Sequence, residues 1–380
     1  MTTPIRIGEV NTYSPSALTP FMTTYRYGIE MCVAEVNAAG GVLGRPLEVV
    51  YADDGLDKAQ AQRVTAALIE DDKVDLVAGT FTSDIGLAVA EVADRLKRVF
   101  VATEPRTDAM TREEGSRYVF RIRTSQAMMI AMLASRAARL PHKRWTVIAP
   151  SYAGGKRIGR MAREAFAKLR PDVVFAPDVH FDLGSLDAAT VDALVATEPE
   201  VIFSIVYGSD LLPFVRLGRE RGLFERTTLI SPLGDPEYLT TTGAETPEGW
   251  LVLGYPGEQD ARPSHLQFMR DFRRRFAAEP DAAALIGYMG FQAIAAGLAR
   301  AGTTDTEALV AAFRGLEYDS PIGRIRIRRG DHQATVGNWI GTTAIRNGQA
   351  VVADPVFLDG ADYLPPEEEV ALLRPPQARA

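Results

Sequence analysis

The sequence predicts an α/β protein made of two doubly wound lobes, and three observations carry that expectation. Strand-like apolar runs and amphipathic helices alternate along most of the chain, a pattern that implies parallel sheets with helices on both faces. The alternation stops and begins afresh around Arg121 to Arg123. Finally, 380 residues exceed what one hydrophobic core usually holds.

The elements follow in order. IRIGEV (5–10) is a strand, and the next helix starts near Thr19, with Tyr27, Met31, Ala34 and Val33 at three-to-four spacing. Gly40 and Gly41 end this helix, Gly44 permits a second turn, and Pro46 prevents a return to helix before LEVVYADD. KAQAQRVTAALIEDD is a helix striped by Ala61, Val64, Ala67 and Leu68, and VDLVAGTF (74–81) is a buried strand. SDIGLAVAEVADRLK follows as a helix opened by Ser83 as its cap, and RVFVAT (98–103) is a strand. The second series runs helix 125–139, strand WTVIAPS, helix 154–170, strand VVFAPDVHF, helix 186–197, strand VIFSIVYG, helix 209–222 and strand TTLISPL. A long helix ending at Gly302 and a smaller one at 305–315 precede a hairpin-rich finish and a tail marked by Pro365, Pro366, Pro375 and Pro376.

Composition excludes several classes. A formal net charge of -7 argues against a polyanionic partner, so nucleic acid is not expected. RDFRRRF (270–276) reads as the wet face of a helix and RIRIRRG (324–330) as an alternating strand. No apolar run is expected to span a membrane. Cys32, the only cysteine, sits among apolar residues and reads as buried and unreactive. MTTPIRIGEV enters a strand at once, without the basic start and apolar stretch of an export signal, so the expectation is a cytoplasmic chain or one whose signal was processed.

Catalytic and metal motifs are missing. There is no GxxxxGK[ST], HExxH, CxxC or GxSxG, and His142, His180, His265 and His332 are dispersed. Asp53 and Asp54 could act as acid and base or clamp a metal, but at a strand end they more often cap the next helix or hold a loop. The chain is therefore expected to be a binder rather than an enzyme, with no cofactor and no metal.

In doubly wound sheets ligands collect beyond the carboxyl ends of strands. The residues standing there are Thr80, Phe81, Thr82 and Ser83; Thr103, Glu104 and Arg106; Ser151 and Tyr152; Tyr207 and Gly208; and Gly234 and Asp235. A capping hydroxyl at Ser83 with free helix-start amides also makes an anion site. Arg106 is either a solvated loop residue or a fork of donors for a carboxylate. Tyr152 and Tyr207 are either ordinary interface tyrosines or cleft residues.

The segments GIEMCVAEVNAAGGVLGRPLEVVYADDG, GTFTSDIGLAVAEVAD, VYGSDLLPFVRLGRERGL and LIGYMGFQAIAAGLARAG, in this order, resemble the type 1 periplasmic binding protein superfamily. The resemblance runs from Ile5 to about Asn347 and is nearest to the leucine/isoleucine/valine-binding receptors of ABC transporters. It implies a Venus-flytrap protein: two lobes joined by a three-crossing hinge that close on a small solute and deliver it to a membrane permease. The implied lobes are 1–122 plus 254–325 and 123–253 plus 326–360, with 361–380 as an irregular tail. The implied location is the periplasm and the implied state a monomer that does not itself span the membrane; the alternative is a cytoplasmic ligand sensor of the same fold. By position, Ser83 and Thr103 to Arg106 would hold a ligand carboxylate, with Phe81 and Thr82 beside them. Phe21 matches a first-loop aromatic, Tyr152 and Tyr207 match second-lobe aromatics, and Asp235 or Glu237 lies near the group that holds an amino acid's ammonium. Arg106 stands where amino-acid receptors offer threonine, which favours an aromatic or keto acid over an amino acid. Leu56 and Thr82 fill the places of a cysteine pair that some relatives carry.

Overall fold

The computed structural model describes residues 3–16 and 18–378, apart from the side chains of Pro236 and Glu237. The chain divides into two compact units, 1–125 with 261–337 and 364–380, and 126–260 with 338–363.

In the first unit β1 (Ile5–Asn11), α1 (Thr19–Ala38), β2 (Leu47–Asp53), α2 (Lys58–Glu70), β3 (Leu76–Gly79), α3 (Ser83–Arg95), β4 (Phe100–Ala102) and β5 (Val119–Arg121) follow one another. The strands form one parallel sheet in the order β2-β1-β3-β4-β5. Gly40, Gly41 and Gly44 all take positive φ in the turn from α1 to β2, where a side chain would be strained. The buried face of α1 is Phe21, Tyr25, Ile29 and Cys32, whereas Tyr27 and Val33 of the expected stripe are only partly covered. Likewise Thr65 and Ile69 of α2 are buried in place of Val64 and Ala67. Met31, Ala61 and Leu68 of the two expected stripes are buried, and the other buried positions lie about one residue from those expected.

The second unit continues with α4 (Gln126–Ala137), β6 (Arg144–Pro150), α5 (Ala153–Leu169), β7 (Val174–Phe175), β8 (Val179–Phe181) and α6 (Ala188–Ala196). After these come β9 (Val201–Ser204), α7 (Leu211–Glu220), β10 (Thr228–Ser231), α8 (Pro236–Thr242) and β11 (Leu251–Leu253). The sequence expected one strand over VVFAPDVHF; Pro177 cannot donate to a ladder, and the segment is two short strands, both paired with β6. One face of the sheet buries Leu133, Trp145, Phe166 and Phe203. The other buries Val191, Leu194, Phe214 and Leu229.

The chain then re-enters the first unit as α9 (Pro263–Phe276), α10 (Ala282–Ala301), α11 (Thr306–Phe313) and the antiparallel hairpin β12 (Glu317–Ser320) and β13 (Gly323–Arg326). It adds β14 (Asn338–Arg346) and β15 (Gln349–Leu358) antiparallel to the edge of the second sheet, and ends with α12 (Glu367–Ala371) in the first unit.

Three corrections concern these segments. α10 is long and apolar enough, by length and composition, to cross a membrane, contrary to the expectation that no run is. It is a core helix: most of its length is buried, and a glycine on each helix lets it touch α1 backbone to backbone. A Cβ on Gly28 would lie 2.0 Å from Ala284 O, and one on Gly287 2.3 Å from Tyr25 O. The boundary expected at 325/326 falls instead at 337/338. Residues 327–334 stay with the first unit because Arg121 N donates to His332 O at 3.0 Å and Ala334 N to Arg121 O at 2.9 Å. The expected irregular tail is also part of this unit. Arg374 is buried there, its Nη2 donating to Ser116 O at 2.8 Å and Ala378 O at 3.1 Å.

Candidate functional site

Each sheet has a point where the strand order reverses, between β1 and β3 in the first unit and between β6 and β9 in the second. Connections leave such a point in opposite directions, which opens a crevice at the carboxyl ends of its strands.

In the first unit the loops after β3 and β4 meet. Thr82, not Ser83, caps α3: its Oγ1 accepts from Ile85 N at 3.3 Å. Both residues are hydroxylic and adjacent, so the sequence could not choose between them. Ser83 is instead the first helical residue, and its Oγ accepts from Arg106 N at 3.3 Å and Thr107 N at 3.2 Å. It straps the β4 loop onto the start of α3. Gly86 makes the approach possible, since a Cβ there would lie 2.5 Å from Pro105 Cγ.

The loop so held carries a buried charge cluster. Arg106 Nε and Nη2 donate to Glu104 Oε1 at 3.0 and 2.8 Å, and Arg123 Nε stands 2.7 Å from Glu104 Oε2. The second approach is a charge contact without hydrogen-bond alignment. Two guanidinium groups thus approach one carboxylate. Behind it Arg121 is fully buried, donating to Thr107 O, to Thr111 Oγ1 at 3.1 Å and to Gln333 Oε1 at 2.5 Å. Burial lowers its pKa to about 10, still protonated at neutral pH.

Aromatic and hydroxyl groups adjoin the cluster. Phe21 of α1 meets Phe81 edge-on, with ring centroids 4.8 Å apart, and lies parallel to Tyr25 at 6.3 Å. Tyr25 Oη is 2.7 Å from Thr103 Oγ1. The seven expected site residues of this unit, Phe21, Phe81, Thr82, Ser83, Thr103, Glu104 and Arg106, therefore lie on two neighbouring loops and the starts of two helices. Asp53 and Asp54 hold the β1 loop: Asp53 Oδ1 accepts from Tyr13 N at 2.8 Å, and Asp54 Oδ1 from Thr12 Oγ1 at 2.7 Å. The cap of α2 is Asp57, which accepts from Gln60 N at 2.6 Å.

In the second unit Tyr152 follows β6 and Tyr207 follows β9, so the pair flanks that sheet's reversal point, hydroxyl to hydroxyl at 3.2 Å. Tyr152 is exposed and Tyr207 half-buried. Burial, then the bond to Tyr152, pushes the Tyr207 hydroxyl well above the usual tyrosine range. Asp235 is buried, and its Oδ1 accepts from Tyr255 N at 2.9 Å, tying the loop after β10 to the end of β11. The side chain of Glu237, the alternative acidic position, lies outside the described residues.

Sequence reasoning did not single out Arg123, Arg121 or Glu9, which are buried among these groups. The signal was available: RIR at 121–123 and GEV at 8–10 place charges inside apolar strand runs. Among the described residues no group of three or more His, Cys, Asp or Glu is placed to hold a metal ion.

Comparison with known proteins bears on the whole chain. An amino acid binding protein of Pseudomonas aeruginosa is 26% identical over 294 residues, covering 75% of this chain and 76% of its own. The amino acid ABC transporter substrate-binding protein of Pseudomonas fluorescens Pf-5 superposes with a TM-score of 0.85 at 20% identity, over 97% of this chain and 99% of that one. An ABC-transporter solute binding protein from Rhodopseudomonas palustris BisB5, solved with 3,4-dihydroxy benzoic acid, superposes with a TM-score of 0.82 at 20% identity, over 94% and 98%. The fold is that of the type 1, Venus-flytrap periplasmic binding proteins. The family model described as periplasmic binding protein matches residues 4–349, and the chain belongs to that family.

Proposed function

We propose that the protein is the solute receptor of an ABC uptake system, exported to the periplasm, and that it closes its two units on a small organic carboxylate before docking on a membrane permease. The observation that carries this reading is the convergence of the Arg106 and Arg123 guanidinium groups on Glu104 beside the Ser83 strap at the strand ends of the first unit. Such groups suit an anion: a charge-assisted donor in a desolvated setting contributes more than a neutral one. Tyr152 and Tyr207, at the reversal point of the second sheet, would supply flat apolar surface with hydroxyl tips, which suits an aromatic or branched body. Asp235, whose carboxylate accepts one backbone amide and keeps further lone pairs, is the candidate partner for an ammonium group. Arg106, where amino-acid receptors offer threonine, favours an aromatic or keto acid over an amino acid. Similar receptors are named for both classes, one solved with a dihydroxybenzoic acid and others named for amino acids.

Calorimetry against benzoate, para-hydroxybenzoate, leucine and the keto acid of leucine tests the reading. The acids should bind more tightly than leucine, and Tyr152→Ala or Tyr207→Ala should weaken them by roughly 1–3 kcal/mol with little change in Tm. No binding of any of these by the folded protein would refute it.

A further inference from the structure

The first unit carries a groove of about 800 Å³, none of whose lining residues belongs to the strand-end site. Its walls are α2, α3, the 114–116 segment ahead of β5, and the tail at Pro375 and Gln377. The buried Arg374 fixes that tail, its Nη2 donating at 2.8 Å to the backbone oxygen of Ser116 in the neighbouring wall. Along α3, Asp84, Leu87, Glu91 and Asp94 recur at three-to-four spacing, so they share the helix face that lines the groove. Leu87, Ala88, Ala90 and Pro375 supply apolar surface, and the tail exposes Leu372 and Leu373 just ahead of Pro375. Among the described lining residues, four carboxylates, Asp84, Glu91, Asp94 and Glu114, stand against one ammonium, Lys58, and all four are exposed. Lys58 Nζ is 3.2 Å from Asp84 Oδ2, Asp94 Oδ1 accepts from Ser116 Oγ at 2.5 Å, and Glu91 Oε2 accepts from the neutral Gln62 Nε2 at 2.9 Å.

A small solute is normally enclosed, whereas this rim lies open to water. Apolar walls under an acidic rim suit a protein segment whose apolar side chains cover the walls and whose cations meet the excess carboxylates. The groove is also joined to the ligand loops by continuous chain. α3 begins at Ser83, whose Oγ holds the loop after β4 through Arg106 N and Thr107 N. That loop runs on through the turn Asp108–Thr111 to Glu114 and Ser116 in the groove wall. Between the two, Pro105 and Met110 pack on Gly86 of α3, where a Cβ would lie 2.5 and 2.9 Å from them. We propose that this groove is the docking surface for a basic segment, carrying apolar side chains, of the membrane partner. The inference rests on the receptor reading, because an occupant of the groove touches the same helix and loop that hold the bound carboxylate.

The test is fluorescence anisotropy on the full chain with two labelled synthetic peptides of equal length, one alternating leucine with arginine and the other serine with arginine. The leucine peptide should bind the parent, and about tenfold more weakly as salt rises from about 50 to about 300 mM. The serine peptide should bind on the order of tenfold more weakly than the leucine peptide. Glu91→Lys with Glu114→Lys should cost the leucine peptide about tenfold or more, whereas Glu225→Lys with Glu248→Lys, an equal reversal on exposed glutamates of the second unit, should cost nothing. Circular dichroism and melting verify that both double variants are folded. No binding to the parent, equal affinity for the two peptides, or an equal loss in the two double variants would overturn the inference, the last because the peptide would then read net charge alone. Benzoate calorimetry on the same samples separates the two readings, and the Glu91→Lys, Glu114→Lys protein should bind benzoate as the parent does. If the parent binds benzoate and not the peptide, the groove assignment falls and the receptor reading stands. If it binds the peptide but no acid of the panel, the receptor reading falls and the assignment to a membrane partner falls with it.

Discussion

Replacing Ser83 with alanine removes one oxygen and leaves two backbone donors, Arg106 N and Thr107 N, without their acceptor. Thr107 is almost fully buried, so water does not easily replace the lost bond; Arg106 is partly exposed, and its amide can be rehydrated in part. A buried orphaned donor costs about 1–3 kcal/mol and a rehydrated one well under that, which gives roughly 2 kcal/mol for the pair. Thr82→Ala removes a single capping bond worth about 1 kcal/mol. The order of the two effects separates a strap at Ser83 from the cap that the sequence suggested. At about 2–4 °C per kcal/mol for domains of this size, scanning calorimetry should show a loss of roughly 4–8 °C for Ser83→Ala and about half that for Thr82→Ala. Ser83→Thr, which keeps the acceptor, should recover most of the loss. A Ser83→Ala protein as stable as Thr82→Ala or more so would refute the strap.

Gly86→Ala gains about 1 kcal/mol of helix propensity but brings a Cβ within 2.5 Å of Pro105, and overpacking of about 1–3 kcal/mol should win; a Tm at or above the parent's would contradict that close approach. Arg374→Ala should destabilise the first unit by roughly 2–4 kcal/mol through loss of its bonds to Ser116 and Ala378, and urea unfolding identical to the parent's would show that the tail is not anchored. The Glu9 carboxyl is raised from 4.5 to about 7 in the folded protein, so between those values the folded state binds the extra proton. Its contribution is complete below the lower value and lost as pH rises through the upper one. Glu9→Gln should therefore gain stability relative to the parent, by up to about 3 kcal/mol, between pH 5 and 8, and a difference that does not vary with pH would refute the burial argument.

The fold was legible because its signals were redundant. LVAG (76–79) and FVA (100–102), the strands within VDLVAGTF and RVFVAT, carry no polar side chain because they are covered on both faces, and Gly40, Gly41 and Gly44 mark a turn that no other residue makes cheaply. What stayed hidden depended on tertiary partners. α10 resembles a membrane span because a helix buried on nearly all sides needs no polar face. The choice between Thr82 and Ser83 as cap turned on which hydroxyl the β4 loop would occupy. Arg106 and Glu104 sit two apart in an irregular loop, where no periodicity announces a pair, and Arg123 reaches the same carboxylate from beyond β5. The positions after the strands could be named from topology alone, whereas the ion pairing among them could not.

Arg106 carries the central claim, because it belongs to the charge cluster and is the residue proposed to favour an acid over an amino acid. Calorimetry and stopped-flow binding of benzoate to the parent and to Arg106→Ala, with melting to verify the fold, is the most direct measurement. Loss of a charged donor from a desolvated pocket should weaken binding by about 2–5 kcal/mol, mostly through faster dissociation. A folded Arg106→Ala protein that binds the acid as tightly as the parent would contradict the account.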